Sequence, residues 1–192
     1  MIRVVLFDVD GVILIGEKFS FQYERDFGLK KGVMSEFFTG AFQDCKRGIK
    51  DLKKELHPYL PKWKWNKSVE EFLDYWFTVE IKLNRPLLLE IRELQKNDVV
   101  CDLATNQEKY RLRFLKSDVR FDKIFDKIFC SCEIGFLKPE QDFFQAIFDE
   151  LDVEKQEILF WDSDEENVDT VRFLEPKTLT SLLNLARISS FN

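Results

Sequence analysis

Three short, largely apolar runs, each closed by polar side chains, stand out along the chain. They cover residues 2–7, 99–104 and 157–161. Apolar runs rich in β-branched residues are typical of strands buried on both faces, as in a parallel sheet. A weaker run at residues 127–130 predicts one more strand.

Between these runs, apolar residues recur with helical spacing. One such face is formed by Phe143, Phe144, Ile147, Phe148 and Leu151. Pro86 suits the first position of another helix, because that position needs no backbone N–H. Strands that alternate with helices predict an α/β fold with a parallel sheet.

The stretch of residues 16–85 breaks this alternation and has a helical pattern throughout. Its apolar positions between residues 37 and 45 predict one amphipathic helix, and a capping box at Ser68 predicts the start of another. We therefore expect an α/β core of residues 1–15 and 86–192, interrupted by a helical insertion.

The composition narrows the class of protein. The 192 residues and 23.0 kDa suit one domain with a modest insertion. A net charge of −6 leaves no basic surface for nonspecific nucleic-acid binding, and no apolar run approaches the ~20 residues of a membrane span. The first apolar run leads directly into acidic residues, so we expect a cytoplasmic protein without nucleic-acid or membrane partners.

Cysteine and histidine offer little metal-binding capacity. Cys130 and Cys132 are separated by one residue, which suits a metal site or a buried pair of free thiols, and we expect the thiols. His57 is the single histidine of the chain, so a site built from several histidines is excluded. We expect any chemistry to depend on carboxylates.

The chemically versatile side chains lie where the predicted strands end. They are Asp8, Asp10, Thr105, Asn106 and Asp162. In open α/β sheets, ligands bind beyond the carboxyl ends of the strands, so these side chains should meet in one crevice.

Asp8 and Asp10 are two residues apart, which on a regular strand places both side chains on the same face. Two close carboxylates repel each other unless a cation lies between them or one is protonated. A hard, oxygen-seeking cation such as Mg²⁺ suits the pair, with Asp162 as a further ligand.

Candidate donors for an anion accompany these carboxylates. Thr105 supplies a hydroxyl and Asn106 an amide. Gly11 allows a close approach of the backbone, so that its N–H can join them. The pattern therefore predicts a site for a cation and an anion at one edge of the sheet.

Four segments around these residues resemble the motifs of the haloacid dehalogenase (HAD) superfamily, in the order found in that family. They are residues 8–12 (DVDGV), 104–106 (ATN), 134–140 (IGFLKPE) and 160–168 (FWDSDEENV). The resemblance covers nearly the whole chain, and the helical insertion is similar to the four-helix cap of HAD phosphatases. It implies a Rossmann-like core that carries such a cap.

The resemblance also implies a phosphatase that works through an aspartyl-phosphate. Asp8 corresponds to the nucleophile, and Asp10 to a general acid that later acts as a base. Lys138 would offset the negative charge of Asp8 and of the phosphate. Mg²⁺ would bind Asp8, Asp162 and the backbone carbonyl of Asp10, while the polar residues of the second motif would bind the phosphoryl group.

Asp10 separates activities within the superfamily. Similar haloacid dehalogenases lack an acid at this position, because halide leaves without a proton, so Asp10 favours phosphate esters. We expect a small phosphorylated metabolite as substrate, because a closed cap excludes macromolecules. The alternatives are a phosphosugar mutase and a non-catalytic binding protein of the same fold. A phosphonatase would need a reactive cap lysine, but a solvated surface accounts equally well for Lys18, Lys46 and Lys50.

Two features depart from the family pattern. Ser163 stands where relatives often have a second aspartate, with Asp164 next. The fifth strand has no obvious counterpart, since residues 172–178 run directly into apolar residues with helical spacing. We therefore expect that strand to be missing and a helix over 179–188 to cover the sheet edge, which favours a monomer over a homodimer.

Overall fold

A parallel sheet forms the centre of the fold. The computed structural model describes residues 1–180, and the strands within them are β1 (Val4–Phe7), β2 (Val100–Thr105), β3 (Ile128–Cys130), β4 (Ile158–Asp162) and β5 (Lys177–Thr180). Their order is β3-β2-β1-β4-β5, and each neighbouring pair is parallel. The expected α/β fold with a Rossmann-like sheet is confirmed, including the weaker strand near residue 129.

The expectation that the fifth strand is missing is wrong. β5 pairs with β4 over four residues and ends with Thr180 opposite Asp162. Its sequence, KTLT, lacks a continuous apolar run, and a short polar strand is typical of a sheet edge. Leu179 therefore belongs to a strand, and residues 181–188 of the expected helix lie outside the described part of the chain. The preference for a monomer stays a prediction, because the helix that was expected to cover the sheet edge begins within β5 and otherwise lies outside the described residues.

Helices surround the sheet and fill the insertion. The insertion contains α1 (Phe19–Asp26), α2 (Ser35–Thr39), α3 (Ala41–Lys46), α4 (Leu52–Leu56) and α5 (Val69–Val79). The core contains α6 (Arg85–Lys96), α7 (Lys109–Ser117), α8 (Ser131–Ile134), α9 (Gln141–Glu150) and α10 (Glu165–Phe173). Short 3-10 helices cover Phe121–Lys123 and Lys155–Glu157. No helix in the described range is long and apolar enough to cross a membrane.

Two helix predictions need correction. The single helix expected between residues 37 and 45 is divided into α2 and α3 at Gly40, whose backbone is not helical. A Cβ at this position would lie 2.7 Å from the carbonyl oxygen of Glu36, so the close contact requires glycine. Pro86 is the second residue of α6, because Arg85 begins the helix after the cap residue Asn84. The expected capping box at the start of α5 is confirmed.

The insertion, which we call the cap, has a hydrophobic core of its own. Aromatic residues dominate it, as the 20 phenylalanines of the chain suggest. The rings of Phe19 and Trp76 stack with their centroids 5.0 Å apart, and Phe72 meets Phe19 edge to face at 5.5 Å. Since ring pairs in such orientations attract each other beyond simple burial, the cap holds its shape without a sheet of its own.

Two linkers join the cap to the core and pair with each other. The N–H of Ile15 donates to the carbonyl of Lys82 at 2.8 Å, and the N–H of Asn84 donates to that of Ile13 at 2.8 Å. At this crossing the two linkers tie the cap to the core, and the cap boundaries at residues 16 and 85 stay a prediction. Cap residues line the same cavity as residues at the carboxyl ends of β1, β2 and β4.

Candidate active site

Three of the predicted site residues meet at the end of the central strand. The N–H of Asp8 donates to the carbonyl of Trp161 at 2.8 Å, so Asp8 follows β1 directly while still tied to β4. The Lys138 ammonium donates to Asp8 Oδ1 at 2.7 Å and to Asp162 Oδ2 at 2.6 Å. All three side chains are buried. One buried cation thus bridges two buried carboxylates from different strands.

The charges in this cluster are unequal. Burial raises the pKa of Asp8, Lys138 opposes that rise, and the nearby carboxylates of Asp162 and Asp10 add to it. Burial lowers the pKa of Lys138, but its two carboxylate partners more than offset this effect, so the pKa lies above its ordinary value. The lysine is therefore a fixed cation, whereas burial and the neighbouring carboxylates disfavour the ionised form of Asp8.

Neighbouring residues fix the orientation of Asp162. Its Oδ2 also accepts a hydrogen bond from the Asn167 amide at 3.0 Å, and its Oδ1 accepts from the N–H of Asp164 at 2.8 Å. Asp164 is the N-cap of α10, and Asn167 lies one turn into that helix. The start of α10 thus holds the carboxylate in place.

Asp10 lies on a turn rather than on the strand, so the expectation that a regular strand places it on the same face as Asp8 is wrong. Its carboxylate is half-exposed and forms a bidentate ion pair with Arg111, at 2.8 and 2.9 Å. The Gln107 amide donates to the same carboxylate at 2.7 Å. Loss of water contact would raise the pKa of Asp10, but the Arg111 guanidinium and the Gln107 amide hold it below its ordinary value.

Gly11 and Ser163 depend on each other. The φ angle of Gly11 is +87°, and a Cβ there would lie 2.4 Å from the Ser163 hydroxyl oxygen. That hydroxyl donates to the backbone carbonyl of Asp10 at 3.1 Å, so serine has a clear structural role at this position. The N–H of Gly11 donates to the carbonyl of Leu14 at 2.7 Å. In this structure it is therefore engaged within the turn instead of pointing to an anion.

The side chains of Thr105 and Asn106, in the second motif, contact protein groups. Thr105 is buried, and its hydroxyl accepts from the Gln107 amide at 3.1 Å. The Asn106 side chain pairs with the backbone of Lys138, donating to its carbonyl and accepting from its N–H, each at 2.9 Å. Asn106 thus positions the lysine loop, whereas the sequence predicted an amide directed at an anion.

A cavity of about 660 Å³ lies between the cap and these residues. Its floor is formed by the carboxylates of Asp8, Asp10 and Asp162 with Thr105 and Lys138. The cap contributes aromatic side chains and three lysines, which are Phe19, Phe21, Phe38, Phe42, Trp76, Lys18, Lys31 and Lys46. Lys46 therefore lines the cavity, whereas a solvated surface position was considered for it from the sequence. Burial lowers the pKa of its ammonium. Lys50 instead pairs with Asp44 at 3.1 Å.

Oxygen atoms are the available ligands for a cation at this site. Within residues 1–180, no group of three or more His, Cys, Asp or Glu side chains is arranged to hold a metal ion. The thiols of Cys130 and Cys132 lie 3.4 Å apart, and both cysteines are free. The potential ligands at the cavity floor are the carboxylates of Asp8 and Asp162 and the backbone carbonyl of Asp10.

A family model for the haloacid dehalogenase-like hydrolases matches residues 2–170. This chain belongs to that family. The HAD-like hydrolase also resembles solved structures of the same fold. A predicted HAD-like family hydrolase from Porphyromonas gingivalis is 22% identical with a TM-score of 0.81, and the match covers 100% of this chain and 96% of that one.

Two further structures show the chemical range of this fold. A HAD family enzyme from Bacteroides thetaiotaomicron, in complex with magnesium and inorganic phosphate, is 18% identical with a TM-score of 0.81, and the match covers 100% of both chains. The L-2-haloacid dehalogenase from Xanthobacter autotrophicus, with chloropropionic acid covalently bound, is 16% identical with a TM-score of 0.68, over 97% of this chain and 82% of that one. At these identities the likeness establishes the fold of this HAD-like hydrolase.

Sequence reasoning missed the partners of Asp10. Gln107 and Arg111 are four residues apart, directly after the second motif, and Arg111 Nη1 donates to the Gln107 side-chain oxygen at 2.9 Å although Gln107 precedes α7. That spacing was an available signal. Glu80, which pairs with Arg111 at 3.1 Å from the end of the cap, had none, because only the folded chain brings the two together.

Proposed function

We propose that this HAD-like hydrolase is a Mg²⁺-dependent phosphatase of small phosphorylated metabolites. The observation that carries the proposal is the arrangement of Asp8, Asp10, Lys138 and Asp162 around one cavity. It combines a buried carboxylate, a second carboxylate nearby and a fixed cation. A dehalogenase needs the first and the third but not a proton donor for its leaving group.

The reaction has two steps in this proposal. An oxygen of Asp8 attacks phosphorus and the bond to the leaving oxygen breaks. Asp10 gives that oxygen a proton, which it holds only in the substrate complex, where the negative charge of the phosphate opposes that of Arg111 and favours the protonated acid. Asp10 then takes a proton from water, whose oxygen attacks phosphorus and releases inorganic phosphate and free Asp8. Lys138 keeps the cluster from repelling the anionic substrate, and Asn106 holds the lysine loop.

The donor set fits Mg²⁺. Asp8, Asp162 and the carbonyl of Asp10 would hold the ion, because they are hard oxygen ligands of the kind that Mg²⁺ prefers. The two buried carboxylates share one lysine, so a further cation would balance their charge. When bound, Mg²⁺ would supply charge neutralisation at the phosphate. The magnesium and phosphate complex of the Bacteroides enzyme supports this assignment.

The cavity supports a substrate of metabolite size. About 660 Å³ lies in the range of small-molecule pockets, and the cap closes one side of it. Phe42 and Trp76 offer apolar contact to the part of the substrate beyond the phosphate, and Lys46 offers a positive charge.

Phosphate release from a panel of phosphorylated metabolites and from p-nitrophenyl phosphate tests this function, with Mg²⁺ or with EDTA. We expect turnover that requires Mg²⁺, loss of turnover in Asp8→Asn, and a weakened Mg²⁺ dependence curve in Asp162→Ala. Acid-quenched protein should carry a phosphoryl group that Asp8→Asn lacks. Asp152→Asn, at an exposed position, is the matched control and should behave like the wild type.

The same assay separates the alternatives. A mutase would convert one phosphosugar isomer to another while releasing little inorganic phosphate. A non-catalytic binding protein would show neither turnover nor the covalent phosphoryl group.

A further inference from the structure

Arg111 contacts Asp10, Gln107 and Glu80, and the proposed reaction gives it no role. We propose that Arg111 is a positioning residue, which orients the Asp10 carboxylate for proton transfer and links it to the cap through Glu80. The inference rests on the proposed phosphatase function.

The guanidinium holds both oxygens of Asp10. Nη1 donates to Oδ2 at 2.9 Å and Nη2 donates to Oδ1 at 2.8 Å. Because the planar guanidinium meets a planar carboxylate through two parallel bonds, the pair fixes the plane of the carboxylate as well as its position. A single hydrogen bond would leave that plane free to rotate.

Asp10 needs such a holder, because the surrounding chain confines it poorly. Its side chain is 51% exposed, whereas that of Arg111 is 7% exposed. A proton donor acts only within hydrogen-bond reach of the leaving oxygen and in the right orientation. The buried arginine therefore fixes the orientation of the Asp10 carboxylate, which the exposed turn alone does not.

Arg111 is itself held on two sides. Its Nη1 donates to the Gln107 side-chain oxygen at 2.9 Å, and the Gln107 amide donates onward to Asp10 at 2.7 Å. Its Nη2 lies 3.1 Å from Glu80 Oε2. Asp10, Gln107 and the guanidinium thus contact one another in a triangle, and Glu80 adds a contact to Arg111 from the cap.

Glu80 carries this network into the cap. One of its oxygens accepts from the N–H of Phe19 at 3.0 Å, and the other accepts from the Trp76 indole at 3.0 Å. Glu80 precedes the linker segment at residues 82–84 by two positions, next to the paired crossing between cap and core. The position of the cap and the orientation of Asp10 are therefore joined through one guanidinium.

The test is the dependence of kcat/KM on the leaving group. A general acid matters most for a poor leaving group such as an alkyl alcohol, and little for dinitrophenolate, which leaves without a proton. For Arg111→Gln we expect a loss on the order of 10- to 100-fold on an alkyl phosphate, a part of the roughly 10²–10⁴-fold that a general acid contributes. On 2,4-dinitrophenyl phosphate we expect a change within about threefold, because proton transfer contributes little there.

Three companion variants make the test decisive. Asp10→Asn should show the same trend with larger losses, and the double variant of Asp10→Asn with Arg111→Gln should lose no more than Asp10→Asn alone. Arg111→Lys keeps the charge but not the bidentate geometry, and it should follow Arg111→Gln. Arg113→Gln removes an exposed arginine from the same helix and should match the wild type.

Equal losses of Arg111→Gln across all leaving groups, or losses that multiply in the double variant, would overturn the inference while leaving the phosphatase intact. Wild-type behaviour of Arg111→Lys would also overturn it, because charge alone would then suffice. If Asp10→Asn itself shows no leaving-group trend, the proposed acid is wrong and the inference falls with it. Circular dichroism of each variant identifies losses caused by unfolding.

Discussion

Asp102 is an ionisable side chain inside the sheet, and its burial predicts how the free energy of unfolding changes with pH. It lies on β2 opposite Leu6, its residue is 1% exposed, and its Oδ1 has no hydrogen-bond partner. Burial raises the pKa of Asp102 from 3.8 to about 7, and the nearby Asp126 adds to the rise. The folded protein therefore binds a proton at Asp102 more tightly than the unfolded chain does.

The sign of the effect follows from this difference. The contribution of Asp102 to the free energy of unfolding is most favourable below the unfolded pKa, where Asp102 is protonated in both states. This contribution falls as the pH rises towards the folded pKa of about 7. At about 1.4 kcal/mol for each tenfold change in proton affinity, the full penalty above pH 7 is about 4 kcal/mol. About 2–3 kcal/mol of it develops between pH 5 and pH 8.

Asp102→Asn removes the charge with little change of shape, so it should be more stable than the wild type at pH 8. The advantage should shrink by about 2–3 kcal/mol when both are measured at pH 5. Urea unfolding followed by tryptophan fluorescence, in EDTA, measures this difference at each pH. Asp152→Asn, at an exposed position, should change stability by less than about 0.5 kcal/mol at either pH. An Asp102→Asn advantage that is equal at pH 5 and pH 8 would refute the reasoning.

Three further predictions concern packing and charge. Phe144→Ala empties a fully buried position beside Phe160 and should lower the free energy of unfolding by about 3–5 kcal/mol, and a loss below 1 kcal/mol would contradict the packing. Lys138→Met leaves two buried carboxylates without their cation, so it should abolish turnover and lower the free energy of unfolding by about 3–5 kcal/mol in EDTA. Gly11→Ala should lower the melting temperature through its positive φ and its contact with Ser163, and adding Ser163→Ala should restore the steric part; no recovery would count against that contact.

Much of the layout of the candidate site could be predicted from local patterns. Each of the apolar runs ends in a polar residue, and the carboxyl ends of parallel strands must share one edge, so Asp8 and Asp162 were expected to converge. The ion pairs of Lys138 with both confirm that convergence. Such predictions succeed because strand burial and strand direction are properties of short segments.

Predictions failed where local pattern and fold disagree. β5 is a polar edge strand that pairs with β4. It was missed because an edge strand needs no continuous apolar run, which is the pattern that marks an interior strand. The break between α2 and α3 depends on a close approach at Gly40 that its flanking apolar residues conceal.

The alternation of strands and helices in the core, the family resemblance and the carboxylates at the strand ends could all be recognised in the sequence, because each depends on adjacent residues. The surroundings of Asp10 could not, because they depend on the packing of distant segments. Arg111 is 101 positions away from it along the chain, and Glu80 reaches the same guanidinium from the cap. Contacts of that kind depend on how cap and core pack together, because no local spacing relates side chains that meet only after both have folded.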